Sequence, residues 1–351
     1  MSSRFVVLLS LFKIAGTALL IVATSAVSSA QEPIKLGALY PLTGTGAVFG
    51  SPAMLGHEMA IEKINAAGGI HGRQVVAVGR DTKLNPAVAA AAAREMITKE
   101  GVDVPLGGIS SAVGLAISEV ARQEKVIYIA TVPKTTQLTT TRLHRYVFRT
   151  GANTDSEGKG IARVLGWVGA KKVCQIQFDY AYGHDLAAGI AKALPDEAPG
   201  AEIVLDLKVR LGTTDYNTYI AQMMASECET VASGLWGAAF INVAQQGKPF
   251  GLFDKVKYVS GGEIASHEIA GKLKGDYPDN VWSNAYELWY HSRSPLHKPF
   301  QEALAKRQGV KETSSWPLLA YIGVQFVEAA AQKAGSMDVE ALVTALEGLR
   351  V

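Results

Sequence analysis

The feature of this sequence that most constrains its fold is a regular alternation of short apolar strands with amphipathic helices. Strands separated by helices of roughly 10–15 residues are typical of βαβ units, and right-handed crossovers then favour open, doubly wound parallel sheets. The predicted strands are residues 34–39, 74–78, 102–106, 126–129, 173–178, 203–209, 230–233 and 257–260. The predicted helices are residues 52–64, 87–98, 113–122, 156–167, 185–194, 216–225 and 238–245.

The alternation restarts after Thr150, so the sequence predicts two α/β lobes. We expect residues 31–150 and 287–351 to form lobe 1, and residues 151–286 to form lobe 2. The chain then crosses between the lobes near Thr150 and again within residues 281–288. The last three helical segments would return to the first lobe; they are residues 299–308, 318–334 and 339–349.

Composition places the chain among globular proteins and excludes several classes of function. The chain has 351 residues, of which 48% are hydrophobic and 19% charged, a size and balance that suit two domains. A formal net charge of +2 without a dense run of Lys or Arg gives no signal for nucleic acid. The seven histidines never occur as HxxxH or HxH, so we predict no metal and no cofactor.

Residues 1–30 have the pattern of an export signal. Arg4 and Lys13 flank a first apolar patch, an apolar-to-small core spans residues 14–23, and small residues precede Gln31. The alternative is a membrane anchor, but this run is too short to cross ~30 Å of hydrocarbon. We therefore predict cleavage after Ala30 and a periplasmic protein without stable membrane insertion.

The chain contains two cysteines, Cys174 and Cys228. An oxidising compartment permits a disulfide between them. However, Cys174 lies inside an apolar strand and the two occupy different positions within their elements, so we expect buried free thiols in preference to a disulfide.

Two glycine-rich turns are candidates for a catalytic or cofactor site, but each lacks residues that such a site needs. The first has glycines at 44, 46 and 50, one residue longer than the GxGxxG of dinucleotide-binding proteins, and no acidic residue closes a second strand to hold a ribose. The second, at 107–108, leads into Ser110 and Ser111, but no partner base is visible for a catalytic serine. We therefore predict no enzymatic activity.

The second turn is better suited to holding an anion. It follows a strand and opens a helix, so free N–H groups and a serine hydroxyl meet at the strand end. A carboxylate fits such a site. The alternative is that Ser111 only caps its own helix.

A long ordered pattern resembles a known family. A strand is followed by Tyr-Pro-Leu-Thr-Gly-Thr-Gly at 40–46, a helix ending in Asn-Ala-Ala-Gly-Gly-Ile-His-Gly at 65–72, and a second strand with Asp81 beyond it. This is similar to the opening of the periplasmic branched-chain amino-acid binding proteins, and the resemblance extends to residue 349. It implies the type I periplasmic binding protein fold: two doubly wound parallel-sheet lobes joined by crossing hinge strands.

The resemblance implies ligand contacts in the first lobe. Ser111 matches the serine that receives the ligand carboxylate, with Ser110 beside it, and Phe49 matches an apolar lid in a cleft loop. Residues 130–139 match a second segment, in which Val132 offers its carbonyl. Lys134 stands where the family has a hydroxyl, so we expect an inward-pointing Lys134 to favour ligands with an extra carboxylate and to disfavour an ammonium that Glu263 does not neutralise.

The second lobe supplies three further candidates by the same resemblance. Tyr182 matches the tyrosine that closes over the ligand, Trp236 an aromatic wall, and Glu263 the glutamate that pairs with the ligand ammonium. Considered singly, Tyr182 and Trp236 also suit core aromatics, Glu263 a solvated loop acid and Lys134 a solvent-exposed lysine. All three lobe-2 candidates follow strands, and ligands of α/β proteins gather at the carboxyl ends of strands.

The implied function is capture of a small carboxylate-bearing ligand for the membrane permease of an ABC transporter, by a protein expected to be a monomer. The ligand would be a branched-chain or other amino acid, or a related organic acid or amide. The alternative is a ligand-sensing subunit of a signalling receptor built on the same fold. Members of the family continue beyond the position of Val351 with a turn and final strands, which implies either a fragment or a short variant.

Overall fold

The computed structural model describes residues 31–351 except 289, 292 and 293; the predicted signal of residues 1–30 lies outside the described residues. The described chain forms two lobes, each built on a five-stranded parallel sheet. The first sheet has the order β2-β1-β3-β4-β5 and contains β1 (Ile34–Tyr40), β2 (Val75–Asp81), β3 (Val104–Gly107), β4 (Tyr128–Ala130) and β5 (Val147–Arg149). The second has the order β10-β9-β8-β6-β7 and contains β6 (Lys172–Phe178), β7 (Glu202–Val209), β8 (Thr230–Ser233), β9 (Lys257–Ser260) and β10 (Val281–Ser283). The predicted two-lobed α/β fold is confirmed.

Helices cover both faces of each sheet. In the first lobe these are α1 (Ala47–Ala66), α2 (Pro86–Thr98), α3 (Ser111–Glu124), α10 (His297–Gln308), α11 (Trp316–Ala334) and α12 (Val339–Leu346). In the second they are α4 (Thr154–Trp167), α5 (Ala181–Glu197), α6 (Asn217–Ala225), α7 (Ala238–Gly247), α8 (Leu252–Lys255) and α9 (His267–Leu273). Among the described residues, none of these helices combines the length and apolarity that crossing a membrane requires.

Each sheet lies between two apolar cores. In the first lobe, α1, α11 and α12 pack on one face and α2 with α3 on the other. In the second, α4 and α5 cover one face and α6 to α9 the other. Sheets buried on both faces explain why the strands read as continuous apolar runs.

The start of α1 differs from the prediction. Pro52 was expected at the first helical position, but α1 begins at Ala47 and Pro52 lies inside it. A short 3₁₀ turn at 44–46 leads directly into the helix, so Phe49 belongs to its first turn and not to a loop. Helix α2 is capped by Asn85, whose side chain accepts from the N–H groups of Ala87 and Val88.

The expectation of free thiols is wrong. Cys174 and Cys228 form a disulfide, with their Cα atoms 5.5 Å apart. Cys174 lies on β6 and Cys228 just before β8, and these strands are adjacent in the second sheet. The strand order therefore brings together two residues that are 54 positions apart.

The sheet topology determines where a site can form. In each sheet the strand order reverses beside a central strand, between β1 and β3 in the first and between β6 and β8 in the second. Loops that follow parallel strands on the two sides of such a reversal diverge and leave a crevice. The chain passes between the sheets after β5 and again after β10.

Candidate functional site

A cavity lies between the two lobes, bounded by the loops that follow strands in both sheets and by the starts of helices. The volume that the centre of a water molecule can occupy in this cavity is about 40 Å³. A cavity that holds a single water needs roughly 10–15 Å³ by the same measure. Its lining is mostly apolar or aromatic: Phe49, Ile109, Ser111, Val132, Lys134, Tyr180, Tyr182, Trp236, Gly237, Gly262, Glu263, Ser266, Ile269, Tyr286 and Trp316. The space suits one small organic molecule.

The structure brings seven of the eight predicted site residues to this cavity; the exception is Ser110. The seven are Phe49, Ser111, Val132, Lys134, Tyr182, Trp236 and Glu263. They come from separate stretches of the chain and meet because each follows, or opens the helix after, a strand of one sheet or the other. Their role as ligand contacts stays a prediction.

The two adjacent serines at the start of α3 have different roles. Ser110 is the helix cap, since its Oγ accepts from the Val113 N–H at 3.3 Å. Ser111 lines the cavity, and its Oγ accepts from the Thr135 N–H at 3.1 Å. The alternative in which Ser111 caps its own helix is therefore wrong. Its hydroxyl proton is not used in that bond and is available to a ligand.

Three aromatic side chains from distant parts of the sequence form one wall of the cavity. The Phe49 ring lies 5.6 Å from Trp236 and 4.9 Å from Trp316, in both cases edge to face. Gly237, next to Trp236, has φ of 60°, a conformation that favours glycine. Its missing side chain also leaves room for Phe49, whose ring would be 3.1 Å from a Cβ at that position.

Lys134 points into the site and is buried. It follows β4, and its Nζ donates to Glu157 Oε1 at 2.7 Å, to the Gly261 carbonyl at 3.1 Å and to Glu263 Oε1. Burial alone lowers the pKa of Lys134, but the two carboxylates outweigh it and hold that pKa well above its ordinary value. Lys134 is therefore a charged group that joins the first lobe to the second.

The three bonds of Lys134 change its expected role. An ammonium has three protons, and here each is donated to a protein oxygen. The expectation that Lys134 attracts an extra ligand carboxylate is not supported by this geometry. Tyr182 and Tyr286 complete its surroundings, with ring centres 5.6 and 5.0 Å from Nζ.

Glu157 is a member of the site that sequence reasoning missed. It lies in the first turn of α4, is buried, and its Oε1 accepts from Lys134, from Tyr182 Oη at 3.3 Å and from Asn284 Nδ2 at 3.3 Å. Burial raises the pKa of the Glu157 carboxyl to about 7. In sequence this residue looks like any acid in a first helical turn, so no local signal distinguished it.

Glu263 is fixed in an unusual backbone conformation. Its φ is 52°, in the left-handed region that residues other than glycine seldom adopt. Its N–H donates to Asn284 Oδ1 at 3.2 Å, and Asn284 Nδ2 donates back to Glu263 Oε1 at 2.9 Å. Strain of this kind persists where surrounding contacts enforce it, and here it aims the carboxylate at Lys134.

Two buried donors near the C-terminal part of the chain have no hydrogen-bond partner among the described residues. Tyr286 Oη and Trp316 Nε1 make no hydrogen bond to any residue that the structure describes, and both residues line the cavity. Their rings meet at 5.7 Å. An unpaired buried donor is costly, so both favour a ligand that supplies acceptor atoms. Neither residue was predicted from the sequence, because both lie far along the chain from the other residues of the site.

Further contacts join the lobes beside the cavity. Gln137 Nε2 donates to Asp185 Oδ1 at 3.0 Å, and Thr135 Oγ1 donates to the same carboxylate. Together with the Lys134 hydrogen bonds and the Phe49–Trp236 contact, these hydrogen bonds hold the two lobes together around the cavity. The structure therefore represents a closed arrangement of the lobes.

Comparison with known proteins agrees with this architecture. The chain is 28% identical over 318 residues to the Leu/Ile/Val-binding protein homolog 3 of Brucella melitensis, covering 90% of this chain and 83% of that protein. A solute-binding protein of R. palustris in complex with benzoate superposes with a TM-score of 0.78 at 19% identity, covering 90% of this chain and 85% of the other. The isoleucine complex of LivJ from Streptococcus pneumoniae superposes with a TM-score of 0.76 at 24% identity, covering 90% of this chain and 87% of the other.

These relatives are named for binding and not for catalysis. The profile of the family described as periplasmic binding protein matches residues 33–351, which is nearly all of the described chain. The chain thus belongs to the periplasmic binding protein family.

Proposed function

We propose that this protein is the periplasmic receptor of an ABC importer, which captures a small carboxylate-bearing solute between its lobes and delivers it to a membrane permease. The observation that carries the proposal is the inter-lobe cavity, which offers three unused hydrogen-bond donors among the described residues. The Ser111 hydroxyl proton, Tyr286 Oη–H and Trp316 Nε1–H are all free of protein acceptors among the described residues. A carboxylate offers acceptors to such donors and needs no metal or covalent step.

The start of α3 adds to this preference. Ser111 opens a 14-residue helix, whose first N–H groups carry positive partial charge towards the cavity. Buried in a mostly apolar cavity, such donors act on an anion more strongly than they would in water. We therefore place the carboxylate at Ser111 and the apolar body of the ligand against Phe49 and Trp236.

Delivery requires that the lobes open and close. Ligand groups that bridge the lobes stabilise the closed state and so shift an open–closed equilibrium. Residues 1–30 would direct export to the periplasm, where the name of the family places such proteins. The permease would then recognise the closed, loaded form.

A substitution at Ser111 tests the carboxylate position. We expect Ser111→Ala to weaken binding of a carboxylate probe by about 1–3 kcal/mol, because a ligand oxygen loses its donor. It should also lower stability, since the Thr135 N–H loses its acceptor. Calorimetry with leucine and with benzoate, the two chemistries that the relatives suggest, measures the affinity.

The neighbouring serine provides a matched control. Ser110→Ala removes the cap of α3, at a cost of about 0.5–2 kcal/mol of stability, but leaves the cavity lining intact. It should bind the probe as wild type does. If both alanine variants kept the wild-type affinity, Ser111 would have no part in binding.

A further inference from the structure

We infer that the cavity selects carboxylates that lack an ammonium group, because Lys134 already fills the position between the two acidic side chains of the site. Its ligand is then an aromatic or similarly flat apolar carboxylate, since aromatic side chains line much of the cavity. This inference rests on the proposed function and deepens it. It differs from what the names of the leucine-, isoleucine- and valine-binding relatives suggest.

The first step is an inventory of the groups that could receive a ligand ammonium. Among the described residues that line the cavity, Glu263 is the acidic one, and Glu157 lies directly behind it. The Oε1 atoms of both accept from Lys134 and from Asn284. One oxygen of each carboxylate that would recognise an amino acid is therefore already engaged by Lys134 and Asn284.

The second step concerns charge. A ligand ammonium seeking these carboxylates would come to lie beside the Lys134 ammonium, which is only 8% exposed at its side chain. Two like charges at close range in a poorly solvated site repel strongly. Lys134 cannot turn away without breaking its three bonds to Glu157, Gly261 and Glu263. A ligand without an ammonium avoids this cost.

Gly261 shows that the lysine pocket is closely built. A Cβ at residue 261 would lie 2.5 Å from Glu157 Oε1, so only glycine lets this carboxylate approach the loop. The Gly261 carbonyl accepts hydrogen bonds from both Lys134 Nζ and Tyr182 Oη, and the Tyr182 Oη atom lies 3.2 Å from it. The Lys134 ammonium thus finds its acceptors within the protein and does not depend on a ligand to supply them.

The third step is the shape and character of the remaining space. Among the described residues, six aromatic side chains line the cavity, and Ser111, Tyr286 and Trp316 offer it hydrogen-bond donors. Flat apolar bodies pack on aromatic walls in offset or edge-to-face contacts. A monocarboxylate with such a body matches both the walls and the donors.

Matched pairs of ligands test the inference on the wild-type protein. The pairs are 3-phenylpropanoate with phenylalanine and 4-methylpentanoate with leucine, each differing only by the α-amino group, with benzoate as a third acid. By calorimetry we expect the acid of at least one pair to bind tenfold or more tightly than its amino acid. Equal or tighter binding of the amino acids would overturn the inference while leaving the proposed function standing. If no acid and no amino acid bound, the proposed function itself would fail, and the inference with it.

A variant tests the role of Lys134 directly. In Lys134→Thr, the two carboxylates become available, so the preference for the acid should shrink at least tenfold and amino-acid binding should increase. Lys192→Thr, at an 80% exposed lysine of α5, is the control and should keep the wild-type preference. Should Lys134→Thr fold poorly, adding Glu157→Gln removes one of the unpaired buried charges. An unchanged preference in the folded variant would show that Lys134 does not set specificity.

Discussion

The buried carboxyl of Glu157 makes a specific prediction for how stability depends on pH. Burial raises its pKa to about 7, against an ordinary value of 4.5. A carboxyl whose pKa is raised in the folded state stabilises the fold when protonated. Its contribution is complete below pH 4.5 and disappears as the pH rises through about 7. One pKa unit corresponds to about 1.4 kcal/mol, so between pH 5 and pH 8 the contribution falls by about 2–3 kcal/mol.

The groups that face Glu157 account for the direction of this shift. Burial is the largest cause; the Lys134 ammonium opposes it, and the Glu263 carboxylate adds to it by repulsion. Tyr182 and Asn284 donate to the same oxygen as Lys134 does. Glu157→Gln keeps the size of the side chain and one acceptor for Lys134 but removes the titration.

Urea unfolding at pH 5, 6, 7 and 8 measures the effect. We expect the stability of wild type relative to Glu157→Gln to decline by about 2–3 kcal/mol across this range. Glu227→Gln, at an 82% exposed side chain, is the control and should follow the wild-type curve. If wild type and Glu157→Gln changed in parallel with pH, the protonation of Glu157 would not be linked to folding.

Two further predictions concern closure and the disulfide. A saturating carboxylate ligand such as 3-phenylpropanoate should lower the radius of gyration in solution scattering, and Trp236→Ala should weaken its binding without preventing folding; a profile indifferent to ligand would contradict closure. Reducing the Cys174–Cys228 disulfide, whose partners are 54 residues apart, should lower the free energy of unfolding by about 4 kcal/mol on a chain-entropy argument. Urea curves with and without reductant that coincide would contradict that estimate.

Much of the fold could be predicted because the hydrophobic periodicity of an element and the residues that begin and end it are local properties of the sequence. Strand β8 (Thr230–Ser233) and strand β9 (Lys257–Ser260) have the predicted bounds. The start of α1 could not be predicted in this way. Pro52 is typical of a first helical position, whereas the helix extends five residues further towards the N-terminus.

The disulfide shows why pairing is harder to predict than elements. Each cysteine viewed alone is a small apolar residue in or near a strand, which is also what a buried thiol looks like. Whether the two can bond depends on strand order, which places β6 next to β8. Sequence distance carries no information about that neighbour relation.

The residues of the site likewise fall into those that local sequence predicts and those that depend on tertiary structure. Residues that follow strands were predictable, because parallel strands bring their carboxyl ends to one edge of a sheet. Glu157 and Trp316 were not, because each lies at a helix start whose approach to the cavity depends on how the two lobes meet. Local sequence around either residue is ordinary.

Lys134 shows how an isolated residue can suggest the wrong mechanism. A lysine beside a helix start, considered alone, predicts attraction of an additional anion. With Glu157 and Glu263 bonded to it, the same side chain has no free proton and its charge is matched. Its effect on specificity must then come from the position it occupies and not from the field it exerts. Selection by excluding a second cation requires only that Nζ stays in place, which its three bonds to the second lobe ensure.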